Sequence, residues 1–402
     1  MTANSTASPE GSILTPNGWV TGKVEFADHV ISVIDGRKLA AGAKPKGPFV
    51  LPGFIDLHVH GGGGGDWHGG EEGIRTFVRY HASYGTTAIA PTTATGPVAA
   101  IEKSLSAITS ISGARRPGEA VVLGTHLEGP FLNPLKPGAM EVSLILEGDA
   151  GLAKSWAEKF KIVIATVAPE IPGGHDVIRA LAERGCRVQI GHSIATPLMA
   201  EEAFHCGCSG FTHLFNAMSQ MEHRSPGVAA YALAKGRFAE IIGDLVHVDA
   251  TVLLAAYRAI PRLYAVTDAS AAGMPDGTFA WGGHRVIKKG QRITLENGTT
   301  LAGSAITMLD AFRNLISLGL SLEQAAEMTS GRQAEYLGLQ DFGRIEPGAR
   351  ACLVKLDEDL RLQGVWVDGE SLAPSTGDKS PAYYLVVPPG HTGTAAALNA
   401  ET

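Results

Sequence analysis

The sequence predicts an α/β fold: a (β/α)8 TIM-type barrel carrying a small β-sandwich domain that the N- and C-terminal segments build together. Three observations predict it. About eight short, near-continuous apolar runs recur along the middle of the chain, helix-like segments lie between them, and several runs end in His, Asp or Glu. An open doubly wound sheet uses the same alternation but spreads its strand tips along an edge. A barrel gathers them in one mouth, and the recurrence of polar tips favours the barrel.

From 19 to 50 the chain reads as short polar-apolar segments broken by Gly and Pro, as in a small antiparallel β unit. The run from Phe49 through Leu51-Pro52-Gly53-Phe54 to His58 reads as one strand buried on both faces whose tip reaches a site. Comparable runs follow at 86–90, 121–127, 161–167, 187–190, 211–214, 240–244 and 263–267, with helical segments such as 99–108, 175–184, 196–205 and 250–260 between them. Gly343-Arg344-Ile345-Glu346-Pro347-Gly348 is a turn-rich hinge into strands at 351–356 and 364–368, which complete the small β domain. The expected division is therefore 1–50 and 344–402 for that domain and 51–343 for the barrel. Beyond 374 the Gly, Pro, Ala and Thr content reads as a loosely held tail.

A chain of 402 residues with net charge -7 and no run of Lys or Arg argues against a nucleic-acid or membrane-surface partner. An anionic substrate would be held by a few placed cations. Cys186, Cys206, Cys208 and Cys352 form no C-x-x-C pair, so reduced thiols are expected. With neither a signal-peptide pattern nor an apolar run of the roughly 18 to 20 residues a membrane span needs, the expected location is the cytoplasm.

His58-Val59-His60 ends the first core run, and residues two apart on a strand face the same side, so both imidazoles can converge on one ion. The bland reading is a pair of strand-end histidines bonded to backbone carbonyls. Glu128, His192, His213 and Asp268 sit at the expected tips of other strands. This nitrogen and carboxylate mix suits Zn²⁺ or a similar divalent ion, one or two per subunit, and a carboxylate can bridge two. Asp268 is the candidate base, since an ion lowers the pKa of a bound water to roughly 7 and an adjacent carboxylate can then take its proton. A helix cap is its alternative. Gly61 to Gly65 lack the Gly-Lys-Ser/Thr ending of a P-loop and read as a flexible loop over the mouth. His68, His81, His175, His205, His223 and His284 read as surface histidines.

The ordered set His58-x-His60, His126-Leu127-Glu128-Gly129-Pro130-Phe131, Gly191-His192-Ser193, Thr212-His213-Leu214-Phe215-Asn216-Ala217-Met218, His247-Val248-Asp249, Val266-Thr267-Asp268-Ala269 and Leu301-Ala302-Gly303-Ser304 resembles the N-acetylglucosamine-6-phosphate deacetylases of the amidohydrolase superfamily across nearly the whole barrel. The resemblance implies Glu128, His192 and His213 as ligands of the main ion, His58 and His60 at a second one, and Asp268 as acid/base. It also implies that Ala139, Met140, Asn216, Ala217, Arg224, His247, Leu301, Ala302 and Gly303 contact a phosphorylated N-acetyl amino sugar. Homodimers are implied too, with Arg224 reaching the neighbouring subunit's phosphate. Such enzymes usually carry a His where Met140 stands, touching the substrate carbonyl. A thioether donates no strong hydrogen bond there. A second ion, a nearby His or a different substrate are the three ways to accommodate it. Hydrolysis of another N-acyl amino sugar or an N-acyl amino acid, and a non-catalytic sugar-phosphate binder, are the rival functions.

Overall fold

The computed structural model describes residues 8–40, 42–281 and 284–375, with the backbone alone of residue 284; the expected C-terminal tail lies outside the described residues, apart from its first residue. Eight parallel strands organise the mixed α/β fold: β1 Phe54–Val59, β2 Thr86–Thr93, β3 Thr125–Glu128, β4 Ile162–Val167, β5 Arg187–Ile190, β6 Cys208–Phe211, β7 Phe238–Ile242 and β8 Arg262–Val266. They are apolar on both faces because helices cover one and packed side chains the other. The hydrogen-bonded order is β6-β5-β4-β3-β2-β1, with β7 paired to β8. Leu214 N–H donates to Glu240 O at 2.9 Å beside β6 and β7, and Asp268 N–H donates to His58 O at 2.8 Å beside β8 and β1, so the sheet curls toward its own first strand.

The helices between these strands include Gly70–Ser83, Val98–Ser112, Ala150–Lys159, Gly174–Ala182, Pro197–His205, Val228–Lys235 and Ala250–Ala259, and Met308–Ser317 follows the last of them. Their caps follow from local chemistry. Thr196 accepts from Met199 N–H ahead of Pro197 at the first helical position, and Thr307 forms a capping box with Asp310.

The expected first strand is two strands. Phe49–Pro52 joins the small sheet, Gly53 turns the chain, and β1 begins at Phe54. Gly53 is required there because a Cβ would lie 2.2 Å from Thr87. The small sheet is one seven-stranded path, in order Glu370–Leu372, Leu362–Val367, Leu353–Leu356, Phe49–Pro52, Glu10–Thr15, Gly18–Ala27 and Val30–Lys38, so strands from before and after the parallel series share it. The expected runs at 211–214 and 240–244 begin and end earlier, because Thr212, His213 and Leu214 are buried in a loop that turns at His213, φ 28°.

A four-stranded antiparallel sheet, Gly277–Trp281, His284–Lys289, Arg292–Leu295 and Leu301–Ser304, follows β8 and was not anticipated. Its signal was present in Asn297-Gly298 between two apolar segments, the usual mark of a hairpin turn.

The glycine run is a packed hairpin and not a flexible loop. Gly61–Gly62 pairs with Gly65–Asp66, and a Cβ on Gly65 would lie 2.2 Å from Gly73 O. His81, expected at the surface, is fully buried under this hairpin, its Nε2 donating to Gly61 O at 3.1 Å. Burial pushes its pKa down to about 4. The folded protein therefore refuses a proton that the unfolded chain accepts, so this contribution is complete above the ordinary histidine value of roughly 6.5 and is lost as pH falls from there toward about 4. In urea denaturation at about pH 7.5 and about pH 5, His81→Gln is expected to shrink the acid-induced loss of stability by on the order of 1 kcal/mol. An unchanged loss would contradict this.

Candidate metal centre

Six side chains from five strand tips meet at the C-terminal end of the parallel sheet. His58 and His60 come from the end of β1, Glu128 from the end of β3, and His192, His213 and Asp268 from just beyond β5, β6 and β8. The last three have left-handed backbone, with φ of 48°, 28° and 48°. Such conformations cost about 1–3 kcal/mol each in non-glycine residues and persist where surrounding structure holds them. Here neighbouring chains do so: Asp268 is fixed by its N–H to His58 O, and its own carbonyl accepts Ser304 N–H, both at 2.8 Å.

In the first group, His192 Nε2 and His213 Nε2 lie 3.2 and 3.0 Å from Glu128 Oε1 and 3.1 Å from each other. In the second, His58 Nε2 and His60 Nε2 are 3.2 Å apart and lie 3.5 and 3.2 Å from Asp268 Oδ1. Glu128 Oε2 lies 3.3 Å from His60 Nε2, so this carboxylate faces both groups. The opposite ring nitrogens determine what these atoms are. His192 Nδ1 faces Lys136 O at 2.8 Å, His60 Nδ1 faces Thr92 O at 3.2 Å, and His58 Nδ1 faces the Glu240 carboxylate at 2.9 Å. Each of those partners only accepts, so each Nδ1 carries the proton and each Nε2 turns a bare lone pair inward.

Lone pairs and carboxylate oxygens packed at these distances repel unless a cation lies among them. A tetrahedral ion with bonds of roughly 2.0–2.1 Å sets its ligands about 3.3 Å apart. The donor set therefore fits divalent ions, with Glu128, His192 and His213 holding one and His58, His60 and Asp268 able to hold another.

Burial alone would raise both carboxyl groups. Before any ion binds, protonated imidazoles oppose this: the charge of His58, with His192 and His213 donating, holds Glu128 well below the usual range, and His58 and His60 bring Asp268 down to about 2; an ion among the deprotonated rings would act in the same direction. Both are ionised near neutrality. Asp56, fully buried one turn of the strand below His58, is pushed up to about 7 by burial and accepts the Thr267 hydroxyl at 2.6 Å. Burial opposes the charged form of His247, but Asp244, 2.6 Å from its Nδ1, raises it.

The centre opens into a cavity of about 300 Å³. Of the anticipated contact residues, Ala139, Met140, Asn216, Ala217, His247, Leu301 and Gly303 line it. Ala302 does not; it is buried, and its carbonyl accepts the Ser270 hydroxyl at 2.7 Å. Arg224 is exposed on the loop after β6 and lines no wall of this chain's cavity. The Asn216 backbone N–H donates to His213 O at 3.0 Å. Met140 Sδ accepts Thr95 N–H at 3.4 Å. Trp281, Thr299 and Thr300, all from the unanticipated sheet, complete the wall.

Strand tips that present imidazoles and carboxylates to a divalent ion define a metal-dependent hydrolase of the barrel class. The amidohydrolase family model matches residues 49–372, and the chain belongs to that family. It is 34% identical over 370 residues to an N-acetylgalactosamine-6-phosphate deacetylase of Escherichia coli O157:H7, covering 89% of this chain and 97% of that one. It is 35% identical over 379 residues to the human N-acetylglucosamine-6-phosphate deacetylase, covering 90% and 92%. Among solved structures, a mutant N-acetyl-D-glucosamine-6-phosphate deacetylase of Mycobacterium smegmatis bound to N-acetyl-D-glucosamine-6-phosphate superposes with TM-score 0.83 at 29% identity, over 90% of this chain and 97% of that one. The Pasteurella multocida enzyme gives 0.82 at 28%, over 90% and 98%.

Because His192 serves the first group alone, His192→Ala is expected to weaken Zn²⁺ binding there by more than roughly 100-fold, beyond the effect of losing an outer partner. Competition against a chromophoric chelator measures it. Retained affinity would remove His192 from the ligand set.

Proposed function

We propose that this chain removes the N-acetyl group of N-acetylglucosamine 6-phosphate, releasing acetate and glucosamine 6-phosphate. The observation that carries the reading is the meeting of Glu128, His192, His213, His58, His60 and Asp268 at the end of a cavity sized for one small molecule. The likeness to deacetylases of amino-sugar phosphates over about nine-tenths of the chain supports the substrate class. The eight parallel strands are read as a closed (β/α)8 barrel over 51–343, with 1–50 and 344–402 forming the small β-sandwich domain.

Glu128, His192 and His213 would hold a divalent ion, zinc by the chemistry of these ligands, which would polarise the amide carbonyl and acidify water. Asp268, ionised and beside His60, accepts the proton of the attacking water and returns it to the departing amine nitrogen. His247, charged through Asp244, Ala217 and the strand carrying Leu301 and Gly303 hold the sugar phosphate from the opposite wall. Arg224 supplies a bidentate guanidinium to the phosphate of a neighbouring subunit in a homodimer. That arrangement is supported by Leu135 and Met221, 72% and 65% exposed on the loops after β3 and β6, and by Leu198, 64% exposed in the first turn of helix Pro197–His205. No helix among the described residues is long and apolar enough to cross a membrane. The four cysteines, all free thiols, support a cytoplasmic setting.

The galacto epimer is the second reading, carried by the Escherichia coli relative. Acetate release from the 6-phosphates of both N-acetylhexosamines and from the unphosphorylated sugars distinguishes the cases. The gluco 6-phosphate is expected to react fastest, and Asp268→Asn is expected to lose roughly 10²–10⁴-fold in kcat while keeping the ion held by Glu128, His192 and His213. Preference for the galacto 6-phosphate moves the assignment to the epimer, and equal rates without phosphate contradict both.

A further inference from the structure

Glu240 is fully buried in the middle of β7, inside the otherwise apolar segment Phe238-Ala239-Glu240-Ile241-Ile242. A carboxylate in such a place is costly unless its oxygens are partnered. Oε2 lies 2.9 Å from His58 Nδ1 and 3.3 Å from His213 N–H, which donates to it. Oε1 accepts the Tyr264 hydroxyl at 3.4 Å and lies 3.8 Å from His126 Nδ1.

His58, His126 and Glu240 are close enough to suggest a third ion site. The hydrogen bonds exclude it. His126 Nδ1 must donate to Leu57 O at 2.9 Å, and its Nε2 accepts from the Thr166 hydroxyl at 2.8 Å. His58 Nδ1 must carry a proton to face a carboxylate at 2.9 Å. Neither imidazole has a lone pair to offer in that direction.

We propose that Glu240 is a positioning residue for the metal centre: it fixes His58 as the Nδ1–H tautomer and makes its Nε2 basic, so that binding of the second ion depends on it. The proposal rests on reading the cluster as a metal centre. A carboxylate on the far nitrogen of a ligating histidine orients the ring and strengthens it as a ligand. His58 Nε2 is the atom so directed, 3.2 Å from His60 Nε2 and 3.5 Å from both Glu128 Oε1 and Asp268 Oδ1. The same carboxylate oxygen receives the backbone N–H of His213, so one side chain ties β7 to ligands of both groups.

The test titrates metal-free wild type and Glu240→Gln with Zn²⁺ alone, following heat and chelator competition, and records the visible spectrum after loading with Co²⁺. Gln keeps the shape and an oxygen acceptor and removes the charge. In the wild type a second ion is expected to bind; in Glu240→Gln the first site should stay within about threefold while the second weakens roughly 10–100-fold, with loss of its Co²⁺ bands. Equal weakening of both sites, or no change in either, overturns the proposal. Wild type that takes up no ion overturns the metal-centre reading itself, a distinct failure. Should the variant not fold, nitrogen-15 NMR of histidine-labelled, Zn²⁺-loaded wild type decides. A proton on His58 Nδ1 is expected, and one on Nε2 overturns the assignment.

Discussion

Inward-facing lone pairs on His58, His60 and His192 converge with the ionised oxygens of Glu128 and Asp268 inside a nearly dry pocket, and much of the molecule is arranged around that convergence. Negative charge and unshared pairs at 3.0–3.5 Å are unstable company without a cation. Backbone carbonyls, a buried carboxylate and left-handed turns hold the groups in place before any ion arrives. That preorganisation is what a ligand set needs to favour one geometry over many.

The same atoms that curl the sheet toward its first strand build the site. The bond from Asp268 N–H to His58 O joins the beginning and end of the strand series and sets the separation between a candidate base and a ligand of the second group. Below it, the Thr267 hydroxyl donates to Asp56, a buried acceptor on β1, across the same seam. Displacing one of these strands would therefore disturb stability and metal binding together. The packed glycine hairpin over His81 lies next to this seam, with Gly61 N–H donating to Ala269 O at 2.9 Å.

The strands were readable because burial on both faces leaves continuous apolar runs, and the candidate ligands were readable because His or Glu at the end of such a run breaks the pattern where a barrel mouth would be. Glu240 and Asp56 escaped notice for the complementary reason. Glu240 opens its expected run and Asp56 lies within one, where periodicity says nothing about a hydrogen-bonded partner on another strand. Trp281, Thr299 and Thr300 belong to an inserted sheet whose turn at Asn297-Gly298 was the available clue. His81 lay on a helix face whose burial depends on a hairpin distant in fold order, and Ala302 differs from its neighbours only by strand alternation. The role proposed for Arg224 would depend on a second subunit, which no pattern within one chain specifies.

X-ray absorption at the zinc edge of the loaded protein tests the central claim most directly. A first shell of mixed nitrogen and oxygen scatterers at roughly 2.0–2.1 Å, with the outer-shell signature of imidazole rings, is the predicted result. A spectrum of water ligands alone, without imidazole scattering, would contradict a metal centre built from these histidines and carboxylates.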